Sequence, residues 1–406
     1  MTERATAAVT KTGYAPPPWL LMALLVAGHG VKHVYNAGFF IILPQLAVTF
    51  GLSNTALGAL STARSLSGSL TNVPAGFLAD RYNRHWSVIL GLCMTVIGVF
   101  SFITGSVDNF FLLAAAAAVM SGAISFWHPS AIAALSQRFP QRRGFALALH
   151  GTGGSAGEAL GPTLVGGLLL VVAWQWVLRA GLFPALAMGL LVWLMMRHVH
   201  GQTPSELTIG AYWSSVKGLV RNPAVLTILL VVGTYSMVQG AVSTFLPVYL
   251  GVELGYSSLE MGAFLSAAQV AGIVSQPILG YLSDRLGRRG VLVPSLALLG
   301  CGLVATGFVQ PGWPLAVTIT LMGAFQFPLM ALFLATAIDE VGAEVQGTTV
   351  SLVFGAGTIF SSVSPTFAGY LADNFSVQIV FFYAAALAFI ASALLAARRH
   401  PRPTTT

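Results

Sequence analysis

Charge is what this chain has least of. Asp, Glu, Lys and Arg make up 8% of its 406 residues, where a water-soluble globule carries about a quarter. With 56% hydrophobic residues and a mean hydropathy of +0.80, that shortage excludes a soluble globule and points to a lipid bilayer as the chain's surroundings. Short segments alternating apolar and polar residues are missing too, which excludes an outer-membrane barrel. Cysteine is limited to Cys93 and Cys301, each inside an apolar run. Neither a disulfide framework nor a thiolate metal site is supported, and both are expected as small core residues. No Ser-His-Asp, Cys-His or paired-carboxylate arrangement stands at a depth suited to catalysis, so an enzyme is not expected and no cofactor is called for. The glycines between Gly151 and Gly157 follow no strand and precede no Lys-Ser/Thr pair, so they form a close-packing helix face rather than a phosphate loop. Without an ATP-binding motif, energy for any transport has to come from an ion or solute gradient. The basic residues are dispersed over short loops, which excludes nucleic acid as a partner.

Long apolar runs are what the chain does have. Twelve are expected to be membrane-spanning helices, at 19–48, 54–79, 86–107, 110–138, 142–172, 175–197, 223–251, 258–283, 290–310, 313–338, 346–372 and 376–397, which makes an all-α membrane protein. They divide the chain into a tail (1–18), a six-helix half (19–197), a linker loop (198–222), a second six-helix half (223–397) and a second tail (398–406). The first run is too long for a signal-peptide core and lacks a small-residue cleavage site, so it is expected to stay as an anchor. Of the 19 basic residues, 16 fall on the tails and even-numbered loops, none on the odd-numbered loops, and three (Lys32, Arg64 and Arg179) within spans. Lys and Arg are retained on the cytoplasmic side, so both termini and the linker are expected there.

The chain repeats itself. Leu43-Pro44 recurs as Leu246-Pro247, Gly58 and Ala59 as Gly262 and Ala263, Gly144 and Pro162 as Gly347 and Pro365. The loop Gly76-x-Leu78-x-Asp80-Arg81 recurs as Gly280-x-Leu282-x-Asp284-Arg285. A constant offset of 203 or 204 positions relates all of these pairs, and transporters built from such repeats place substrate at the repeat interface near mid-membrane.

The repeated loop carries a family resemblance. Asp80, Arg81 and Arg84 in the first copy, and Asp284, Arg285, Arg288 and Arg289 in the fuller second copy, resemble the signature loop of the major facilitator superfamily; the first copy has Asn83 where a glycine is usual. The resemblance covers residues 19 to 397. It implies twelve helices in two pseudo-symmetric six-helix halves, a monomeric secondary carrier of the bacterial inner membrane, and a gating role for those seven residues. The plainer reading is that Asp80 and Arg81 only stop a helix and set topology. A narrower likeness lies in His29 and Pro44, in Phe126-Trp127-His128-Pro129 and in Gly153-Gly154 through Gly161-Pro162, which resemble the fosmidomycin-resistance branch, an exporter of antibiotics. The glycine and proline spacing of the fifth span is also close to that of drug/proton antiporters. Where that branch carries an acid four residues after the first-span histidine, this chain has His33.

An ionisable side chain at mid-bilayer costs about 2.5–3.5 kcal/mol on insertion scales, so each is a functional candidate. The first half holds His29, Lys32, His33, Arg64, His128, His150 and Glu158; the second offers neutral Tyr235, Gln239, Gln269 and Gln326. His29, Lys32 and His33 have i, i+3, i+4 spacing and share one helix face. Lys32 and Arg64 against Glu158 leave the interior positive, which suits a small-molecule anion held by a guanidinium fork and an ammonium point charge. Accordingly Lys32, Arg64, His29, His33, Tyr235, Gln239, Gln269 and Gln326 are expected to bind substrate, and Glu158, His33, His128 and His150 to carry protons. Alternatives stand beside this. Glu158 pairs structurally with Arg64 or Lys32; His128 is a helix-kink residue before Pro129; His150 faces cytoplasmic water; His29, His33 and Glu158 hold a divalent ion, against which Lys32 argues. The function expected is proton-coupled export of a small organic anion or anionic antibiotic by antiport. Proton–anion symport uses the same parts, and a metal carrier or a non-transporting sensor is more remote.

Overall fold

The computed structural model describes residues 17–199, 209–341 and 346–397; within these, a few side chains, Asp80 among them, fall outside the description. Among the described residues there are helices and no strands. The helices are α1 (Pro18–Phe50), α2 (Asn54–Arg81), α3 (Trp86–Thr104), α4 (Phe110–Arg138), α5 (Arg143–Leu168), α6 (Trp174–Ala180), α7 (Leu182–Met196), α8 (Ile209–Arg221), α9 (Pro223–Val248), α10 (Ser258–Leu286), α11 (Arg288–Thr306), α12 (Trp313–Gln326), α13 (Leu329–Asp339), α14 (Gln346–Asn374) and α15 (Ile379–Ala397). Among the described residues, ten segments are long and apolar enough to cross a membrane, with α6 plus α7 and α12 plus α13 each counting as one. The helices α2 and α5 have 28 and 26 residues, but Ser, Thr, Asn and Arg64 on α2 and the glycines, His150 and Glu158 on α5 dilute their apolar character.

Two expected spans hold an internal break, the linker holds a helix, and the expectation for one cysteine is overturned. The run expected at 175–197 breaks at Gly181, whose carbonyl accepts the Tyr35 hydroxyl. The run expected at 313–338 breaks at Phe327-Pro328, where proline has no N–H to continue the ladder. The linker 198–222 contains α8 and ends at Asn222, which caps α9 through Oδ1 to the Ala224 N–H at 2.9 Å. Cys93 is buried as expected, but Cys301 is exposed, on a face that a bilayer would cover. Val48, Phe111, Leu160, Phe183, Trp313 and Phe375 are likewise exposed, the outward apolar surface of a membrane bundle.

Packing follows the sequence repeat. Within residues 18–196, α1 lies along α5, and α3 and α2 along α4; within 223–397, α9 lies along α14 and α15, and α10 along α12. Two seams join the repeats, α2 with α14 and α5 with α10. Hydrogen bonds between the repeats cluster at the end carrying loops 51–53, 169–173 and 375–378: Thr62 to Thr366 at 2.7 Å and the Asp373 carboxylate to Asn54 and Thr55 on the first seam, Thr163 to Ser266 at 2.7 Å on the second, and Gln45 of α1 to Ser258 at 3.2 Å beside it.

Candidate functional site

The site is built where α1 and α5 touch. A Cβ on Gly157 would collide with the Gly30 carbonyl, and one on Gly154 would stand 2.6 Å from the His29 ring. Absent side chains on α5 therefore let the polar face of α1 come within hydrogen-bond reach of it.

That face carries His29, Lys32, His33 and, one turn on, Asn36. The His29 Nδ1 meets the His150 backbone carbonyl at 2.6 Å. A carbonyl only accepts, so Nδ1 carries the proton and a neutral His29 presents a lone pair at Nε2. The Nε2 atoms of His33 and His128 lie 3.1 and 3.0 Å from that lone pair. The other nitrogen of His33 contacts Glu158 Oε1 at 2.5 Å, and Asn36 donates to the same oxygen at 3.1 Å. Lys32, fully buried, donates to His128, with Nζ 3.1 Å from Nε2 and 3.3 Å from Nδ1. The imidazole of His150 stacks on His29 at 4.0 Å between centroids, and neither of its ring nitrogens has a partner. One hydrogen-bonded chain thus runs from Glu158 through His33 and His29 to His128 and Lys32.

For His33 to donate to His29, its Nε2 must carry a proton. Its contact with Glu158 then needs one more, held either by His33 as an imidazolium or by Glu158 as an acid. With His33 in that tautomer, the pair shares a single exchangeable proton.

The sequence alternatives can be set against these contacts. Glu158 pairs with His33 rather than with Lys32 or Arg64. His128 sits in an unbroken α4 and bonds to two other side-chain groups. His29, His33 and His128 do bring three ligand atoms within 4.8 Å of one another, with Glu158 behind His33 rather than among them. The Lys32 ammonium stands against that group, a cation within 3.1 Å of the ring of one of the three, His128.

Arg64 is buried on α2. Its guanidinium lies 3.9 Å from the Phe39 ring centroid and 5.1 Å from that of Phe40, and its Nε and one terminal nitrogen have no hydrogen-bond partner. Phe40 also lines a cavity of about 70 Å³ between the repeats, together with Glu158, Pro162, Gln269, Gln326 and Phe327. That volume holds about two waters. Tyr235, Gln239 and Gln326 form a second network: the Tyr235 hydroxyl donates to the Gln326 backbone carbonyl, Gln239 donates to Tyr235 at 2.8 Å, and Gln326 donates to Gln239 at 2.5 Å. Among the substrate-binding candidates, Gln269 and Gln326 line the cavity, whereas Lys32, Arg64, His29, His33, Tyr235 and Gln239 are not part of its lining.

Of the gating candidates, Arg288 donates to Asp284 at 2.7 Å, to Ser283 at 2.8 Å and to Asp339 of α13 at 3.0 Å. Arg289 bonds to the Ala396 carbonyl, and Arg285 and Arg81 lie over the rings of Tyr281 and Tyr82; Arg84 is exposed. The side chain of Asp80 lies outside the described residues. A cavity of about 580 Å³ borders Arg288, Arg289 and Asp339, but the rest of its wall is mostly apolar, those charges already have partners, and none of the histidine-chain residues lines it, so the smaller cavity marks the candidate site. Asn36, Phe39, Phe40 and Asp339 escaped sequence reasoning. The first three are uncharged at span depth, and the last reads as an ordinary helix end.

A bundle of long apolar helices with a buried polar chain opening on a cavity between two repeats defines a membrane transporter rather than an enzyme. The sequence agrees: the Major Facilitator Superfamily profile matches residues 20–276 and 235–406, and the chain belongs to that family. It is 24% identical to the fosmidomycin resistance protein of Escherichia coli (strain K12) over 388 residues, covering 92% of this chain and 91% of that one. It is 26% identical to the multidrug resistance protein MdtG of Citrobacter koseri over 363 residues, covering 85% and 87%. Among solved structures, a bacterial homolog of the human lysosomal transporter Spinster, inward-facing and unoccupied, superposes with a TM-score of 0.80 at 16% identity, covering 96% of this chain and all of that one. The nucleoside transporter NupG gives a TM-score of 0.77 at 13% identity, covering 93% and 99%.

Proposed function

We propose that this chain is a proton-coupled exporter of small organic anions, working by alternating access as an antiporter. In this reading α2 and α5 join the ten apolar segments as crossings, giving twelve. The halves are 19–197 and 223–397, the termini and the 198–222 linker are cytoplasmic, and the carrier acts as a monomer in the bacterial inner membrane. The observation that carries the proposal is the Glu158–His33 contact of 2.5 Å at the edge of the inter-repeat cavity. Two groups that share one proton at the substrate cavity give a carrier its coupling step, because a nearby charge changes the affinity for that proton. Arg64 supplies the other half: a buried guanidinium with free donors and no carboxylate partner is an anion receptor waiting behind Phe40. A proton taken up at Glu158 from outside is passed along the histidines and released inside; an anion then binds at Arg64, with the Lys32 charge close by, and leaves outward, so that proton and anion occupy the carrier in turn.

Export rather than uptake is favoured by the fifth-helix glycine and proline pattern and by relatives named for fosmidomycin and multidrug resistance. In proteoliposomes with an acid lumen and neutral medium, antiport drives anion accumulation inside, as protons leave. Depletion of the lumen under the same gradient identifies symport and overturns the export reading.

A further inference from the structure

The two seams between the repeats close in chemically different ways. The start of α10 carries its own carboxylate: Ser257 and Glu260 form a capping box, with the Glu260 carboxylate accepting the Ser257 N–H at 2.8 Å and the Ser257 hydroxyl accepting the Glu260 N–H at 3.3 Å. The repeat-equivalent start of α2 has Ser53 in the capping position, accepting the Ala56 N–H at 3.2 Å, but Ala56 stands where α10 has Glu260. No carboxylate of its own serves this helix end. One is supplied from across the seam. Asp373, at the end of α14, accepts the Asn54 N–H at 2.8 Å through one oxygen, and the Thr55 N–H at 2.8 Å and the Thr55 hydroxyl at 2.6 Å through the other. The position equivalent to Asp373 in the first repeat is an apolar leucine, Leu169 or Leu170. The α5–α10 seam is therefore joined by a neutral bond, Thr163 to Ser266, and Gln45 of α1 adds another to Ser258 beside it.

We propose that Asp373 is a latch for one end of the carrier: it caps α2 in trans, holds the α2–α14 seam shut at the odd-loop end, and is released when that end opens. A carboxylate facing the first turn of a helix meets both unsatisfied N–H groups and the positive end of the helix dipole. Separating the repeats here leaves the α2 amides with water as their acceptor, whereas α10 keeps Glu260 in any state. Opening at this end is thus opposed at one seam far more than at the other. The latch rests on the alternating-access reading, but on neither the substrate nor the coupling ion.

The test is a distance measurement between spin labels at Val171 and Phe308, both exposed near this end, in a background with Cys93 and Cys301 replaced by serine and the full chain in lipid nanodiscs. Asp373→Ala and Asp373→Asn are expected to raise the ratio of long to short distances by roughly threefold to thirtyfold, the range that loss of a helix cap spans. Adding Ala56→Glu to Asp373→Ala gives α2 a cap of its own without rejoining the seam: lost thermal stability is expected to return while the long distances persist. An unchanged distance distribution in Asp373→Ala overturns the latch. So does a double variant that recovers the wild-type distribution, since the carboxylate then acts only as a helix cap. These readouts involve neither transport nor protons, so loss of the proton-antiport reading leaves them standing, and their failure leaves that reading standing.

Discussion

Arg64 tests the anion side of the proposal. Its guanidinium lies over the rings of Phe39 and Phe40 with two nitrogens unpartnered. Arg64→Lys keeps the charge but loses the planar fork and the stacking, so binding of an anionic ligand is expected to weaken about tenfold, measured as a smaller ligand-induced rise in melting temperature. Equal shifts in wild type and variant would remove Arg64 from the receptor. Lys32 is a poorer probe, because its Nζ is committed to His128. The spacing of His29, Lys32 and His33 in the sequence makes their shared face legible, and the scarcity of charge marks Glu158 and Arg64. Who bonds to whom is not legible. Charge arithmetic pairs Glu158 with a cation, whereas the close approach of α1 and α5 brings His33 and Asn36 to it first. Phe39 and Phe40 carry no signal at all, since apolar residues in an apolar span look alike until an arginine is seen against them.

At the scale of elements, the α1–α5 contact determines whether the histidine chain exists. Gly157→Val puts a branched side chain against the Gly30 backbone, and backbone cannot yield as a flexible side chain does. The substitution is expected to cost about 1–3 kcal/mol, the range for overpacking, seen as a lower melting temperature with weaker substrate binding. Gly151→Val, where a Cβ meets nothing within 4 Å, is the matched control and is expected to be near neutral. If both behave alike, close packing at Gly157 does not set the site. Helix existence was readable from apolar length, and the glycine face of α5 from its composition. The breaks at Gly181 and Phe327-Pro328 were hidden, because hydropathy averages over a span and passes smoothly through a local interruption. The helix α8 was hidden for the opposite reason: a polar stretch between apolar runs reads as loop by contrast with them.

For the whole molecule, the repeat offset of 203 or 204 positions foretells which helices correspond, but it also foretells symmetry where there is none. Protonatable groups gather in the first repeat and amides in the second, so one repeat carries charge and the other offers a neutral wall. The central claim is that the shared proton of Glu158 and His33 couples an ion gradient to anion movement. Glu158→Gln in proteoliposomes tests it most directly, because the amide keeps the shape and the Asn36 neighbour but cannot exchange a proton. With an acid lumen, the wild type is expected to accumulate labelled anion against its gradient. The variant is expected to equilibrate it without accumulation and without dependence on pH. Accumulation by the variant with the pH dependence of the wild type would contradict the account and leave Glu158 as a structural partner of His33.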